Sequence, residues 1–150
     1  MTVSEYLERA KIVQNNIEAE TSKIIYANEV EIINLNTENQ LFDKGVNIFG
    51  TPLGSYSSNN YPKQGSLLRG YPKNRGDRYN FLDSGTLFSD MQLRVEGNKL
   101  IIFNNDTQNK ITNLLSLTGA EFIGLTTENQ QVLNYEIIYP ELMDFIKKTL

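Results

Sequence analysis

The chain has 150 residues, of which 39% are hydrophobic and 10% aromatic, a formal net charge of −4, and neither cysteine nor histidine. That length suits one domain, 1–150, with a core of modest size. Without cysteine there is no disulfide framework, thiolate metal site or cysteine nucleophile, and without histidine the usual general base near neutral pH and the commonest metal ligand are gone.

No apolar run approaches the length of a membrane span. The opening MTVSEYLERAK has no signal-peptide apolar region. The expectation is a soluble intracellular product, or one released by lysis, with no membrane partner. The charge is unevenly spread. Residues 1–44 carry eight acidic and four basic side chains, residues 45–79 one and five, residues 80–150 nine and five. Acidic flanks around a basic centre favour attraction between copies. They argue against sequence-specific DNA binding by the whole domain, which goes with a basic face.

Along the chain, Thr2 or Ser4 can cap a first helix, with Glu5 and Glu8 in or near its first turn. Val3, Tyr6/Leu7, Ala10, Val13, Ile17 and Ile24 form one helical stripe, interrupted at Glu20 and Thr21. Two uses fit the stripe: packing on the chain's own sheet, which is favoured, or packing on a neighbouring subunit. Residues 26–43 alternate like a strand at Val30 and Ile32, but Tyr26, Val30, Ile33 and Leu41 fit a helix; length and polar content favour helix. Gly45 is its expected stop. Residues 45–56 read as a short extended piece punctuated by Gly50, Pro52 and Gly54, with Pro52 at an edge or turn.

Residues 57–80 form the odd part, a basic arm expected to project from the fold. Its core, YPKQGSLLRGYPKNRGDRY, repeats YPK ten residues apart and is too rich in glycine and proline for a helix. After it, residues 83–90 read as a turn into one short helical turn. Met91, Leu93 and Val95 then alternate with Gln92, Arg94 and Glu96; Gly97-Asn98 is a tight-turn pair, and Leu100–Phe103 is apolar. That is a β-hairpin whose first strand has one wet face. Asp106 or Thr107 can cap a helix holding Ile111, Leu114 and Leu115 and ending at Gly119. Thr127 and Gln130 have capping-box spacing for a last helical region. Pro140 stops that helix near Tyr139 or starts another, whose apolar face is Leu142, Phe145, Ile146 and Leu150. The fold class is α+β: N-terminal helices, a small mostly antiparallel sheet built around residues 46–56 and 91–104, and C-terminal helices.

Enzyme signatures are absent: no phosphate-binding loop, no GxSxG, no HExxH, and no Ser-His-Asp triad is possible. NNDTQN at 104–109 lacks the register and distal glutamate of a calcium loop. The reading is non-catalytic, without cofactor or metal. Three readings compete for the arm. It is a solvated loop; or it binds a phosphate backbone through Lys63, Arg69, Lys73, Arg75 and Arg78, with Tyr61, Tyr71 and Tyr79 as stacking platforms; or it docks on an adjacent copy or partner. Leu67 and Leu68 would gain little from DNA and suit a protein pocket, so partner docking ranks first, the plain loop second and nucleic acid third.

Several pieces occur together in one order: Gln40-Leu41, Gly45, Gly50, Gly54-Ser55-Tyr56, a basic stretch, Leu82 to Phe88 leading into the hairpin, and Gly124 to Asn129 before the last helices. This resembles phage neck proteins of the virion-morphogenesis, or tail-completion, type, with ring proteins in the necks of short-tailed gut phages as a close variant. The resemblance runs from about Glu29 to the C-terminus, and its collinear order carries more weight than any single motif. It implies a homo-oligomeric ring between portal and tail around the DNA channel, in the virion neck, with no enzyme activity. Implied partners are copies of the chain, the portal or an adjacent neck ring, tail proteins, and non-specific contact with packaged DNA. It implies scaffold roles for Gly50, Gly54, Tyr56 and Gly124, with Asp83, Ser84 and Gly85 setting the approach to the hairpin and Thr127 the final cap. The rival is a non-catalytic adaptor that binds nucleic acid or a host protein.

Overall fold

The computed structural model describes residues 1–57, 74–82, 85–106 and 109–150. The chain is α+β, with N-terminal helices, a two-stranded antiparallel sheet and C-terminal helices. Helix α1 spans Val3–Ala27. Thr2 caps it, accepting from the Glu5 amide while the Glu5 carboxylate accepts from the Thr2 amide, so two otherwise orphaned donors are satisfied reciprocally. The helix continues through Glu20 and Thr21, which interrupt its apolar stripe. The Thr21 hydroxyl donates back to the Ile17 carbonyl at 2.7 Å, and the helix runs on.

Helix α2, Glu29–Asn34, continues into a π-helical segment, Leu35–Lys44. The helical expectation for residues 26–43 therefore holds, and Gly45, at φ 62°, ends the segment in the left-handed conformation. The strand expected around 46–56 does not form. Val46 and Pro52 make one isolated bridge across a tight turn, and Ser55 bridges Arg78. The physical reason is local: Pro52 has no amide to extend a ladder, and the Asn47 side chain accepts the Phe49 and Thr51 amides, folding the segment on itself.

Helix α3, Thr86–Ser89, is one turn long and leads into strands β1, Met91–Glu96, and β2, Lys99–Asn104. Their register runs from Met91 opposite Asn104 to Glu96 opposite Lys99. Met91 and Leu93 point inward while Gln92, Arg94 and Glu96 are exposed, as the alternation predicts. Helix α4, Lys110–Thr118, follows. Its cap is supplied by Asp106, whose carboxylate accepts the Ile111 and Thr112 amides and the Thr112 hydroxyl. The last helical region is continuous: α5, Thr127–Val132, a π-helical segment, Leu133–Ile138, and α6, Tyr139–Thr149. Pro140 does not break it: α6 begins at Tyr139 with Pro140 among its first residues, as the restart reading expects. A proline ring crowds the carbonyl four residues back, and the widened π turn just before it gives that carbonyl room.

Two buried clusters meet under the hairpin. Leu41, Leu53, Phe81, Leu87, Met91 and Phe122 form one; Ile25, Ile32, Leu93, Leu133 and Ile137 form the other. Met91 and Leu93, two residues apart on one face of β1, join them, with Ile33 and Ile102 packed against both. Each fully buried side chain of this kind contributes about 1.5–3 kcal/mol. Helix α1 packs mainly on α6 rather than on the sheet. Asn28 donates to the Glu141 carboxylate at 2.9 Å and Arg9 to the Leu150 carbonyl at 3.1 Å, so the two helices run antiparallel. Only Ile24 and Ile25 of α1 are buried, and residues 1–9 are all exposed.

Candidate functional site

The base of the arm is built by backbone pairing. The Tyr56 amide donates to the Asp77 carbonyl and the Gly76 amide to the Tyr56 carbonyl, each at 2.9 Å; the Tyr79 amide donates to the Gly54 carbonyl, also at 2.9 Å. Residues 54 and 56 are thus tied to residues 76, 77 and 79. The arm is shorter than 57–80 suggests. Tyr79 and Asn80 are half-buried parts of the body, because an apolar ring beside Phe81 gains more from the core than from solvent. Tyr79 is accordingly a core contact rather than an exposed stacking platform.

An aromatic ladder runs inward from this base. Tyr56 meets Tyr79 edge-on at 4.8 Å, Tyr79 stacks on Phe81 at 6.2 Å, and Phe81 meets Phe122 edge-on at 4.9 Å. Phe81 adopts φ 56°, a conformation costly for a bulky residue. The Asn80 side chain holds it there by accepting the Leu82 amide at 3.1 Å. Beside the ladder lies an apolar groove of about 220 Å³, walled by Tyr56, Tyr79, Phe81 and Leu87 on one side and by Leu114 and Leu117 of α4 on the other, with Lys110 and Asn113 lining it as well.

Beneath the ladder is a clasp of buried amides. The Gln40 side-chain oxygen accepts the Thr126 amide at 3.0 Å. Asn36 donates to the Phe122 and Gly124 carbonyls at 2.9 and 2.8 Å. Asn129 donates to the Leu35 carbonyl at 2.7 Å, and Lys44 pairs with Glu128 at 2.8 Å. Sequence reasoning missed this network, because asparagine and glutamine are read as surface residues by default. A signal for it exists. The tetrapeptide TENQ occurs twice, at 37–40 and at 127–130, and the fold brings the two copies together.

The expected site residues fall into three groups. Tyr61, Lys63, Leu67, Leu68, Arg69, Tyr71, Lys73, Asp83 and Ser84 lie outside the described residues. Arg75 and Arg78 sit at the arm base and are exposed. The scaffold glycines serve close approaches and turns. A Cβ on Gly54 would stand 2.8 Å from the Tyr79 ring, and Gly50, at φ 77°, closes the Asn47–Gly50 turn. Gly85, at φ 85°, precedes α3, and the Gly124 carbonyl is one of the two to which Asn36 donates. The final cap is Thr126, not Thr127: the Thr126 hydroxyl accepts the Asn129 amide at 3.2 Å, and Thr127 is the first helical residue. Thr126 has the extended backbone a cap requires, and Gln130 donates to the Leu125 carbonyl instead of closing a box.

Among the described residues, no group of three or more histidine, cysteine, aspartate or glutamate side chains could hold a metal ion, and no helix is long and apolar enough to cross a membrane. Asp106 alone among the described residues has a clearly displaced acidity. Partial desolvation raises it, but hydrogen bonds from the Ile111 amide, the Thr112 hydroxyl and the Thr112 and Lys110 amides outweigh this and hold the carboxyl below its ordinary value. These groups form a helix cap. A scan against known protein families, a search of curated proteins and a search of solved structures each find no match to this chain.

Proposed function

We propose that this chain is a structural subunit of a phage virion neck, forming a homo-oligomeric ring that joins portal to tail around the DNA channel. The observation that supports the reading is the convergence of the motifs behind the resemblance. Gln40, Gly124 and Asn129 come from distant parts of the sequence into one buried clasp, and the aromatic ladder joins that clasp to Gly54 and Tyr56 at the root of the arm. That is the arrangement of a scaffold that holds a contact element, with buried amides and turn glycines where an enzyme would hold reactive groups. A ring closes through a heterologous interface, in which two different patches of the chain meet. The acidic body and the basic arm are two such patches. Exposed ion pairs contribute only about 0–1 kcal/mol each, so Leu67 and Leu68 carry most of the arm's contact.

The test is a cryo-EM map of the source virion. The reading expects this fold repeated as a ring in the neck, with the arm root facing the neighbouring copy. A neck without this chain, or the chain as a lone copy on another virion or host protein, overturns it in favour of the adaptor.

A further inference from the structure

We infer that the first two turns of α1 dock into the apolar groove of a second copy of this chain. The inference rests on the ring reading and adds a second contact between copies, beside that of the arm.

The donor is built into the helix. Arg9 donates to the Leu150 carbonyl, and residues 3–8, N-terminal to that contact, are all exposed. Val3, Tyr6 and Leu7 stand there at i, i+3 and i+4, exposed by 78%, 46% and 55%. That spacing puts all three on one face, and it is the anchor pattern by which a helix fills an apolar groove. The Thr2–Glu5 capping box fixes the first turn, so little order has to be gained on docking. The helix is a 25-residue rod whose buried anchors, Ile24 and Ile25, lie at its far end. At about 1.5 Å per residue, the tip is carried roughly 30 Å along the helix axis from them.

The acceptor is the groove at the arm root. Its walls are Tyr56, Tyr79, Phe81, Leu114 and Leu117, and Leu117 is 61% exposed. The aromatic wall is rigid, since each ring leans on the next and Phe81 is held in place by Asn80. Charge argues for a second copy as occupant. The tip carries Glu5 and Glu8 and no base between residues 3 and 8. The groove carries Lys110, the sole charged residue of α4, whose cap is Asp106, and lies next to the arm root, where Arg75 and Arg78 flank Asp77; the three cations exceed the two carboxylates. An acidic apolar tip and a basic apolar groove on one chain make a head-to-tail contact, the kind that closes into a ring or grows into a filament.

The absence of cysteine makes the contact directly testable. Leu7→Cys and Leu117→Cys, each at an exposed position, are made singly and together, concentrated, and oxidised. The double variant should give a ladder of disulfide-linked multimers, and a mixture of the two single variants should give heterodimers in excess over either homodimer. A disulfide confined to the monomer means the tip occupies its own groove, and Leu7→Cys homodimers alone mean the tip pairs with itself. Either result overturns the inference, as does the absence of any cross-link between the two positions. Val3→Asp with Tyr6→Asp, made in the double-cysteine background, should abolish the multimers and leave the melting temperature of the monomer unchanged. Imaging separates this inference from the ring reading. Closed virion rings without the 7–117 cross-link refute the contact alone, and cross-linked open filaments with no ring in the virion refute the ring alone.

Discussion

The Gln40 side chain accepts the Thr126 amide at 3.0 Å across 86 residues of sequence, with both residues buried. One hydrogen bond thus fastens the π segment after α2 to the cap of α5. Replacing Gln40 by methionine keeps the volume and leaves the Thr126 amide buried without an acceptor, which costs about 1–3 kcal/mol. Gln130→Met, at the equivalent place in the second TENQ, removes only an exposed bond to Leu125 and should stay within about 0.5 kcal/mol. Urea titration checks the pair: the midpoint should fall for the first with an unchanged slope and hold for the second. Equal effects would refute the clasp.

Gly45 and Gly97 adopt nearly the same left-handed backbone, φ 62° and 60°, in different surroundings. A Cβ at Gly97 meets nothing, whereas one at Gly45 falls within the Tyr79 carbonyl oxygen. Gly97→Ala should cost the conformational term alone, about 1–2 kcal/mol. Gly45→Ala adds steric overlap and should cost about 1–3 kcal/mol more. Thermal unfolding of both variants measures the difference.

The Asp106 carboxyl is held below its ordinary value by the amides it caps. Its folded acidity is therefore the lower of the two states. The stabilisation is present above the unfolded value, about 3.9, and is lost as pH falls through the folded value. Amide exchange at Ile111 and Thr112 should accelerate in acid ahead of global unfolding. In Asp106→Asn that pH step should disappear. An identical acid profile in the variant would remove Asp106 from the cap.

Leu67→Asp combined with Leu68→Asp should abolish assembly while leaving the far-ultraviolet circular dichroism of the monomer intact. Native mass spectrometry reads the outcome. Unchanged assembly would take the arm out of the contact.

A ring lining a DNA channel should bind duplex DNA weakly, without sequence preference and with a shallow salt slope, since each neutralised phosphate adds about 0.9 to that slope. Tight, sequence-selective binding in a gel-shift assay would promote the nucleic-acid adaptor over the neck subunit.

What the sequence made legible was the periodic part of the fold. Met91 to Glu96 alternates without exception, so the hairpin and its inward face follow directly. The helix over 26–43 and the stops at Gly45 and Gly119 were also readable, because helical spacing and a left-handed cap leave local marks. The cap at Thr126 was missed by one residue: two adjacent threonines offer the same hydroxyl, and only backbone geometry chooses between them. The extended piece at 46–56 read as a strand because nothing local reveals that Asn47 folds it on itself. The π turns left no compositional trace. At the proposed site, the basic arm was visible as charge, but the groove beneath it was not. Its walls come from Tyr56, Tyr79, Phe81 and Leu117, which only the tertiary fold assembles.

Because the Tyr56 and Gly76 backbones are bonded to each other, the two ends of the intervening sequence are held together. Doubling the length of a loop closed in this way costs only about 0.6 kcal/mol. Residues could therefore be inserted or deleted there, or a foreign epitope grafted in, with little effect on the melting of the body. Under the proposed function, the contact element could be rewritten independently of how the body folds.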